Sequence, residues 1–138
     1  MINLTTNWTV VFAAAVASMV IGFVWYSKIL FGKEWAELMG MKGGEMKMSK
    51  KGMGVTYLFG TLAAVVMSFV LKQFIDLFYI VNPFDAIQLA FWIWFGFVAT
   101  TMVTSVLYAK QSWKLFVINV GYQLASLMAM ALIFSYWQ

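Results

Sequence analysis

The sequence predicts an all-α fold, a bundle of four transmembrane helices with a short interfacial amphipathic helix in the first connection. Of the 138 residues, 64% are hydrophobic and only 10% are charged, so a water-soluble fold could not cover the apolar surface. The hydrophobic residues are also concentrated in four segments, each close to the ~20 residues that cross a bilayer as a helix. We therefore interpret residues 1–138 as a single membrane domain.

The four predicted crossings lie at about residues 8–26, 55–71, 86–108 and 115–136. No basic side chain precedes the first crossing and no small-residue cleavage site follows it, so we expect a retained helix rather than a signal peptide. Tryptophan and tyrosine side chains lie mostly near the ends of the crossings, where amphipathic rings prefer the membrane interface. This agreement supports four crossings.

The distribution of lysine predicts the orientation. The first connection holds six lysines and the third holds two, whereas the rest of the chain has only Lys72. Under the positive-inside rule, connections one and three are then cytoplasmic and both termini lie outside.

The first connection, residues 28–54, contains a short amphipathic pattern. Phe31, Trp35, Leu38 and Met39 recur at helical spacing, which predicts a helix lying on the cytoplasmic membrane surface. A stretch rich in glycine and lysine follows it. We expect its lysines to bind anionic lipid head groups, and these are Lys42, Lys47, Lys50 and Lys51.

The second connection contains the helix-breaking pair Asn82-Pro83. Asp85, followed three residues later by Gln88, fits a capping box for the third membrane helix. Before this turn, Lys72 and Asp76 are four residues apart, so we expect an ion pair if the second helix extends past residue 71.

Each crossing also has small residues at i, i+4 spacing. In lipid, close backbone approach along such residues is a main source of attraction between helices, although small residues are common in any membrane helix. The predicted packing residues are Ala14, Ser18, Gly22, Gly60, Ala64, Ser68, Gly96, Gly121, Ala125 and Ala129. Thr100 and Thr104 continue the spacing of Gly96 in the third crossing.

Several kinds of chemistry lack their usual side chains. The chain has no Cys and no His, which excludes a thiolate nucleophile, a disulfide, a structural zinc site and an imidazole base. No acidic residue or lysine falls in the middle of a crossing, which argues against a proton-driven multidrug exporter. We expect no catalytic residue, no metal and no cofactor. Nucleic acid is not an expected partner, because the lysines lie between apolar segments.

The polar residues inside the crossings are neutral. Asn119, Gln123 and Ser126 share one face of the fourth crossing, and Thr100 and Thr104 of the third are the nearest candidate partners. These side chains either hydrogen-bond between helices and fix the bundle, or form a neutral lining for a small solute or ion. A lining would require a homo-oligomer, because four helices barely enclose a pore.

A motif follows the first crossing, formed by Trp25, Tyr26, Ser27, Leu30, Phe31, Gly32, Lys33 and Trp35. With Asn7-Trp8 before the helix, it resembles the N-terminal signature of the bacterial membrane family catalogued as domain of unknown function 1761. Gly96-Phe97 and residues 114–122 are similar to the C-terminal half of that family. The resemblance implies a small multipass membrane protein and supplies no activity. We expect the protein in the bacterial inner (plasma) membrane.

Two functions remain open from the sequence. One is an oligomeric membrane protein that passes a small solute or ion. The other is a structural or regulatory protein that binds anionic lipid or a membrane partner through the lysine-rich loop. The motif is more specific than ordinary interface residues, so we expect Trp25, Tyr26 or Trp35 to contact another helix or subunit.

Overall fold

The computed structural model describes residues 2–40 and 50–137, and every regular element within these ranges is a helix. The predicted fold class is confirmed, because four helices are long and apolar enough to cross a membrane and a short helix follows the first. A π-helical turn, Trp94–Ala99, joins two of the elements into one continuous helix. The helices are α1 (Trp8–Trp25), α2 (Gly32–Leu38), α3 (Lys50–Leu77), α4 (Pro83–Ile93), α5 (Thr100–Ala109) and α6 (Trp113–Tyr136).

Helix α3 extends beyond the predicted crossing, residues 55–71, at both ends. The added residues include polar side chains that form helix readily but that a search for apolar segments leaves out. Two of the lysines expected to bind lipid, Lys50 and Lys51, are the exposed first residues of α3. The other two, Lys42 and Lys47, lie outside the described residues.

Helix α6 is the central helix and contacts each of the others. Trp8 at the start of α1 stacks on Phe69 of α3, whereas Trp25 at the end of α1 reaches Ile118 near the start of α6. Helix α1 is therefore antiparallel to both neighbours. One end of the bundle holds the C-terminus of α1 and the N-termini of α3 and α6, and we call it the lysine-rich end. We call the other end of the bundle the opposite end.

The apolar core lies toward the opposite end. Alanines of α1, α4 and α6 allow close approach there, and larger side chains of α3 and α6 fill the space between the helices. The core residues are Val10, Ala14, Leu71, Ile75, Ala86, Ala90, Leu127, Met130, Ala131 and Phe134.

The turn between α3 and α4 corrects the predicted cap. The Asn82 side chain accepts a hydrogen bond from the Phe84 backbone N–H at 2.9 Å, and Pro83 occupies the first helical position. Asp85 and Gln88 are exposed. The predicted capping box is wrong because Asn82 already caps the helix and Asp85 lies inside its first turn.

The predicted pair of Lys72 and Asp76 forms, because α3 continues to Leu77. Lys72 is only 6% exposed, and its Nζ lies 6.0 Å from the centre of the Phe134 ring. A buried ammonium needs an anionic partner, and Asp76 provides it from the next turn of the same helix.

Candidate functional site

Small residues of α1 and α3 are buried between the helices. Ala14, Ser18, Ala64 and Ser68 are all buried. The Ser68 hydroxyl donates a hydrogen bond to the Val11 carbonyl at 2.8 Å. These small side chains bring the two backbones close enough for a direct hydrogen bond between helices.

The small residues of α1 and α6 make room for aromatic rings. A Cβ added at Gly22 would lie 3.2 Å from the Tyr122 hydroxyl oxygen. A Cβ added at Gly121 would lie 3.1 Å from the Trp25 ring. Each helix thus has a glycine opposite an aromatic side chain of the other, and this contact lies nearer the lysine-rich end.

The small residues of the third predicted crossing do not face the bundle. A Cβ at Gly96 would meet nothing within 4 Å, and Gly60 of α3 is equally open. Thr100 and Thr104 are exposed, and their hydroxyls donate to the Gly96 and Thr101 carbonyls of their own helix. Ala125 and Ala129 of α6 are half-buried.

The motif after α1 forms a tight hydrogen-bonded turn. The Phe31 N–H donates to the Trp25 carbonyl at 3.1 Å, and the Gly32 N–H donates to the Ser27 carbonyl at 2.9 Å. A Cβ at Gly32 would lie 2.6 Å from the Ser27 carbonyl oxygen and closer still to that of Tyr26. Glycine is therefore required at the start of α2.

Trp25 attaches this turn to α6. Its indole N–H donates to the Ile118 carbonyl at 2.9 Å, and its ring lies 5.0 Å from Phe31. From the other side of α6, the Trp94 indole N–H donates to the Val120 carbonyl at 2.8 Å. Two tryptophans thus hydrogen-bond the α6 backbone at nearly the same level, which gives each half-buried indole N–H an acceptor.

Tyr26 makes the second attachment. Its hydroxyl donates to Asn119 Oδ1 at 2.7 Å, and its ring has edge contacts with Trp35 and Tyr122, both at 5.4 Å between ring centres. The Tyr122 hydroxyl donates in turn to the Ser18 carbonyl at 3.3 Å. We call Trp25, Tyr26, Phe31, Trp35 and Tyr122 the aromatic cluster.

These contacts confirm that Trp25 and Tyr26 reach another helix. The predicted threonine partners of Asn119 are wrong, because its amide oxygen accepts from Tyr26 of the α1–α2 turn. Thr100 and Thr104 are occupied by their own helix on the exposed side of α5.

A family model described as a protein of unknown function, DUF1761, matches residues 9–135. The chain belongs to the DUF1761 family. The match includes both sides of the aromatic cluster, the motif after α1 and its contacts on α6. No curated protein and no solved structure matches the chain.

The remaining polar residues of this DUF1761 chain lie on α6. Gln123 is half-buried, and its side chain makes no hydrogen bond within residues 2–40 and 50–137. Ser126 is fully buried, and its Oγ lacks a partner in the same ranges. In the described ranges none of Asn119, Gln123 and Ser126 hydrogen-bonds to Thr100 or Thr104, and the neutral lining stays a prediction.

The surface of the lysine-rich end is cationic. Lys114 Nζ lies 3.3 Å from a Glu34 carboxylate oxygen, an exposed pair that contributes little to stability. Apolar side chains accompany the lysines, with Ile29 88% exposed and Leu30 also exposed. In the described part of the chain, no His, Cys, Asp or Glu side chains group as metal ligands would. The exposed lysines are Lys28, Lys33, Lys50, Lys51, Lys110 and Lys114.

Helix α2 buries small residues against the bundle and leaves part of its predicted apolar face uncovered. Its buried residues are Gly32 and Ala36, whereas Met39 is exposed and Trp35 half-buried. The buried positions are small because α2 packs close to the preceding turn and contacts α6.

Trp94 and Tyr122 are the contact residues that the sequence interpretation missed. A signal was present for Trp94, which lies eleven residues after Pro83 and so far from the end of its helix. An indole N–H at that depth has no water to bond and needs a protein acceptor.

Proposed function

We propose that this protein is a non-enzymatic membrane protein that binds anionic phospholipid at its lysine-rich end. The observation that supports it is the separation of charge between the two ends. The lysines of the lysine-rich end are exposed, whereas Lys72 near the opposite end is buried and paired with Asp76. Exposed lysines near a membrane surface attract anionic lipid, at about 1 kcal/mol each.

The aromatic cluster gives this surface a fixed shape. Hydrogen bonds from Trp25 and Tyr26 to α6 hold the α1–α2 turn in place, and Lys28 and Lys33 belong to that turn and to α2. Exposed Ile29 and Leu30 fit the boundary between head groups and acyl chains. We place this end at the cytoplasmic leaflet of a bacterial inner membrane with both termini outside, following the lysine distribution.

Lipid selectivity tests the proposal. The purified full chain is reconstituted in mixed phosphatidylglycerol and phosphatidylcholine bilayers, and the lipid that stays bound is quantified. We expect enrichment of phosphatidylglycerol that falls at least about tenfold when Lys42, Lys47, Lys50 and Lys51 are all changed to Gln. The matched Lys→Arg variant keeps the charge and should keep the enrichment. Equal enrichment in the Gln variant and the unaltered protein would refute the proposal.

A second candidate is passage of a small solute or ion through a homo-oligomer. It is favoured by Thr100 and Thr104, whose neutral face is exposed on α5, where a second copy would enclose it. In proteoliposomes, Thr100→Val with Thr104→Val should then lower ion or solute flux. Unchanged flux, or a protein that stays monomeric in the bilayer, would exclude this candidate.

A further inference from the structure

Trp92 is an exposed tryptophan in the middle of a crossing rather than at its end. Its side chain is 62% exposed, and it belongs to the continuous helix Pro83–Ala109. It lies four residues before the midpoint of that helix, about 6 Å along the axis, and so within the hydrocarbon core. Three other exposed tryptophans begin a helix or follow its last residue, as interface residues do, and these are Trp8, Trp113 and Trp137.

The indole N–H of Trp92 has no acceptor within residues 2–40 and 50–137. The half-buried Trp94 of the same helix donates to the Val120 carbonyl instead of remaining unpaired. At this depth lipid chains supply no acceptor and water is excluded, so an unpaired N–H is costly. The Trp92 donor therefore calls for an acceptor from outside the described helices of one chain.

The bundle already contains a tryptophan that donates across a glycine of another helix. An added Cβ at Gly121 would lie 3.1 Å from the Trp25 ring, and the Trp25 indole N–H donates to the Ile118 carbonyl, three residues before that glycine. Gly96 is a glycine in the same helix as Trp92, and an added Cβ there would meet nothing within 4 Å. This helix thus presents a tryptophan and a glycine, and neither has a partner of the other kind in the described ranges.

Trp92 and Gly96 lie on one face of their helix, which Thr100 and Thr104 continue at the same spacing of four. All four residues are exposed. In an α-helix each step of four residues rotates around the axis by about 40°. The π-helical turn Trp94–Ala99 is wider and offsets part of this rotation, which keeps the four residues on one side. We call Trp92, Gly96, Thr100 and Thr104 the α4–α5 face.

A second copy of the chain fits this face. In a twofold interface each copy supplies the tryptophan for the glycine of the other, so a face that holds both is complementary to itself. The lysine distribution gives all copies one orientation, and parallel copies bring each residue to the depth of its equivalent. Trp92 then lies at the depth of the Ile93 carbonyl of the other copy, three residues before its glycine. The face has no charged side chain, and its small residues allow close approach.

We infer that the protein forms a parallel homodimer through the α4–α5 face. The Trp92 ring of each copy packs on Gly96 of the other copy, and its indole N–H donates to the Ile93 carbonyl there. This inference goes beyond the proposed function and does not rest on lipid binding.

Association in a bilayer tests the inference. Donor- and acceptor-labelled copies of the full chain are reconstituted at decreasing protein-to-lipid ratio, and energy transfer between them gives the dissociation constant. Gly96→Leu should weaken the dimer at least about tenfold, because the added side chain separates the helices. Gly60→Leu alters another glycine whose added Cβ meets nothing, and it should leave the dissociation constant unchanged.

Trp92→Phe keeps a ring and removes the donor. It should weaken the dimer about sevenfold, the effect of two hydrogen bonds of the usual strength between membrane helices. Trp113→Phe, which alters an exposed tryptophan at a helix start, should leave the dissociation constant unchanged.

Cross-linking checks which face is in contact. The chain has no Cys, so an introduced cysteine is unique. Oxidation should join copies with Thr100→Cys at least about tenfold faster than copies with Val66→Cys, which places the cysteine at an exposed position in the interior of α3. Equal rates would overturn the assignment of this face.

The remaining outcomes are distinct. A protein that stays monomeric overturns the dimer and leaves lipid binding standing, and Gly96→Leu should keep the phosphatidylglycerol enrichment. A dimer that Gly96→Leu does not weaken also overturns the inference, because its interface lies elsewhere. If Gly96→Leu weakens the dimer and Trp92→Phe does not, the hydrogen bond to Ile93 is overturned. Neither glycine substitution meets a neighbouring atom at its Cβ, so both variants should fold.

Discussion

The two ends of the bundle are held together by different forces. Toward the opposite end, alanines such as Ala86 and Ala131 bring helices close around Phe134, and apolar contacts predominate beside the hydrogen bond from Ser68 to Val11. Toward the lysine-rich end, side chains donate hydrogen bonds across helices, from Trp25 to Ile118 and from Tyr26 to Asn119. Close packing tolerates exchange between side chains of similar volume, whereas a directed hydrogen bond requires one donor at one position.

This difference explains the position of the motif after α1, whose residues are more specific than ordinary interface residues. The motif after α1 belongs wholly to the hydrogen-bonded region, and both of its attachments end on α6. Four predictions follow from this contrast, given from the largest expected effect to the smallest. Each is measured as a change in the free energy of unfolding in mixed micelles of detergent and dodecyl sulfate.

Gly32→Ala should have the largest effect. The added Cβ meets the carbonyl oxygens of Tyr26 and Ser27, which are backbone atoms that cannot rotate away. We expect a loss of about 3 kcal/mol. Gly60→Ala is the matched control, since its Cβ would meet nothing, and it should be neutral or stabilise α3 by up to about 1 kcal/mol. Similar losses in both variants would disprove the requirement for glycine in the turn.

Asp76→Asn tests the ion pair between Lys72 and Asp76, a charged contact within the apolar half. It leaves the Lys72 ammonium buried without its anion, and we expect a loss of about 2–3 kcal/mol. Lys72→Met removes the buried charge and keeps a similar shape, so it should cost less than about 1 kcal/mol. The reverse order would show that the ammonium is solvated rather than buried.

Trp25→Phe tests the first attachment of the hydrogen-bonded half. The change removes the indole donor to Ile118 and part of the ring that lies on Gly121, and we expect a loss of about 2 kcal/mol. Trp113→Phe alters a tryptophan at the same end that is 58% exposed, and it should change stability by less than about 0.5 kcal/mol. Equal effects would mean that Trp25 is an ordinary interface residue.

The smallest expected effect is the coupling between Tyr26 and Asn119. A double-mutant cycle with Tyr26→Phe and Asn119→Leu should give about 0.6–1 kcal/mol, the usual range for a hydrogen bond between membrane helices. Tyr108→Phe, which alters a tyrosine 85% exposed on α5, should show no coupling to Asn119. A coupling energy of zero for Tyr26 would remove the second attachment.

The helices could be predicted from the sequence because apolar length alone determines which segments can cross a membrane. Small-residue spacing also indicated a helix face, but not the neighbour that covers it. Small residues with the same spacing are buried at Ala14 and Ser18 but exposed at Gly96 and Thr100. Spacing gives only the relative positions within one helix, and the neighbouring helices determine which faces are covered.

The site was predicted in part for a related reason. The motif indicated that Trp25 and Tyr26 make a specific contact, yet their partners Ile118 and Asn119 are 93 residues away in the chain. The threonines of the neighbouring helix were the wrong partners for Asn119, because a threonine hydroxyl can bond a carbonyl of its own helix. The π-helical turn at Trp94–Ala99 has no local sequence pattern that would predict it.

Exchange of indole protons tests the central claim most directly, that the motif after α1 is hydrogen-bonded to α6. Trp25 and Trp113 are both tryptophans of the lysine-rich end. With ¹⁵N-labelled indoles in a bilayer, the Trp25 proton should persist long after transfer to D₂O, because it is bonded to the Ile118 carbonyl. The exposed Trp113 proton should exchange quickly. A Trp25 proton that exchanges as fast as that of Trp113 would contradict the account.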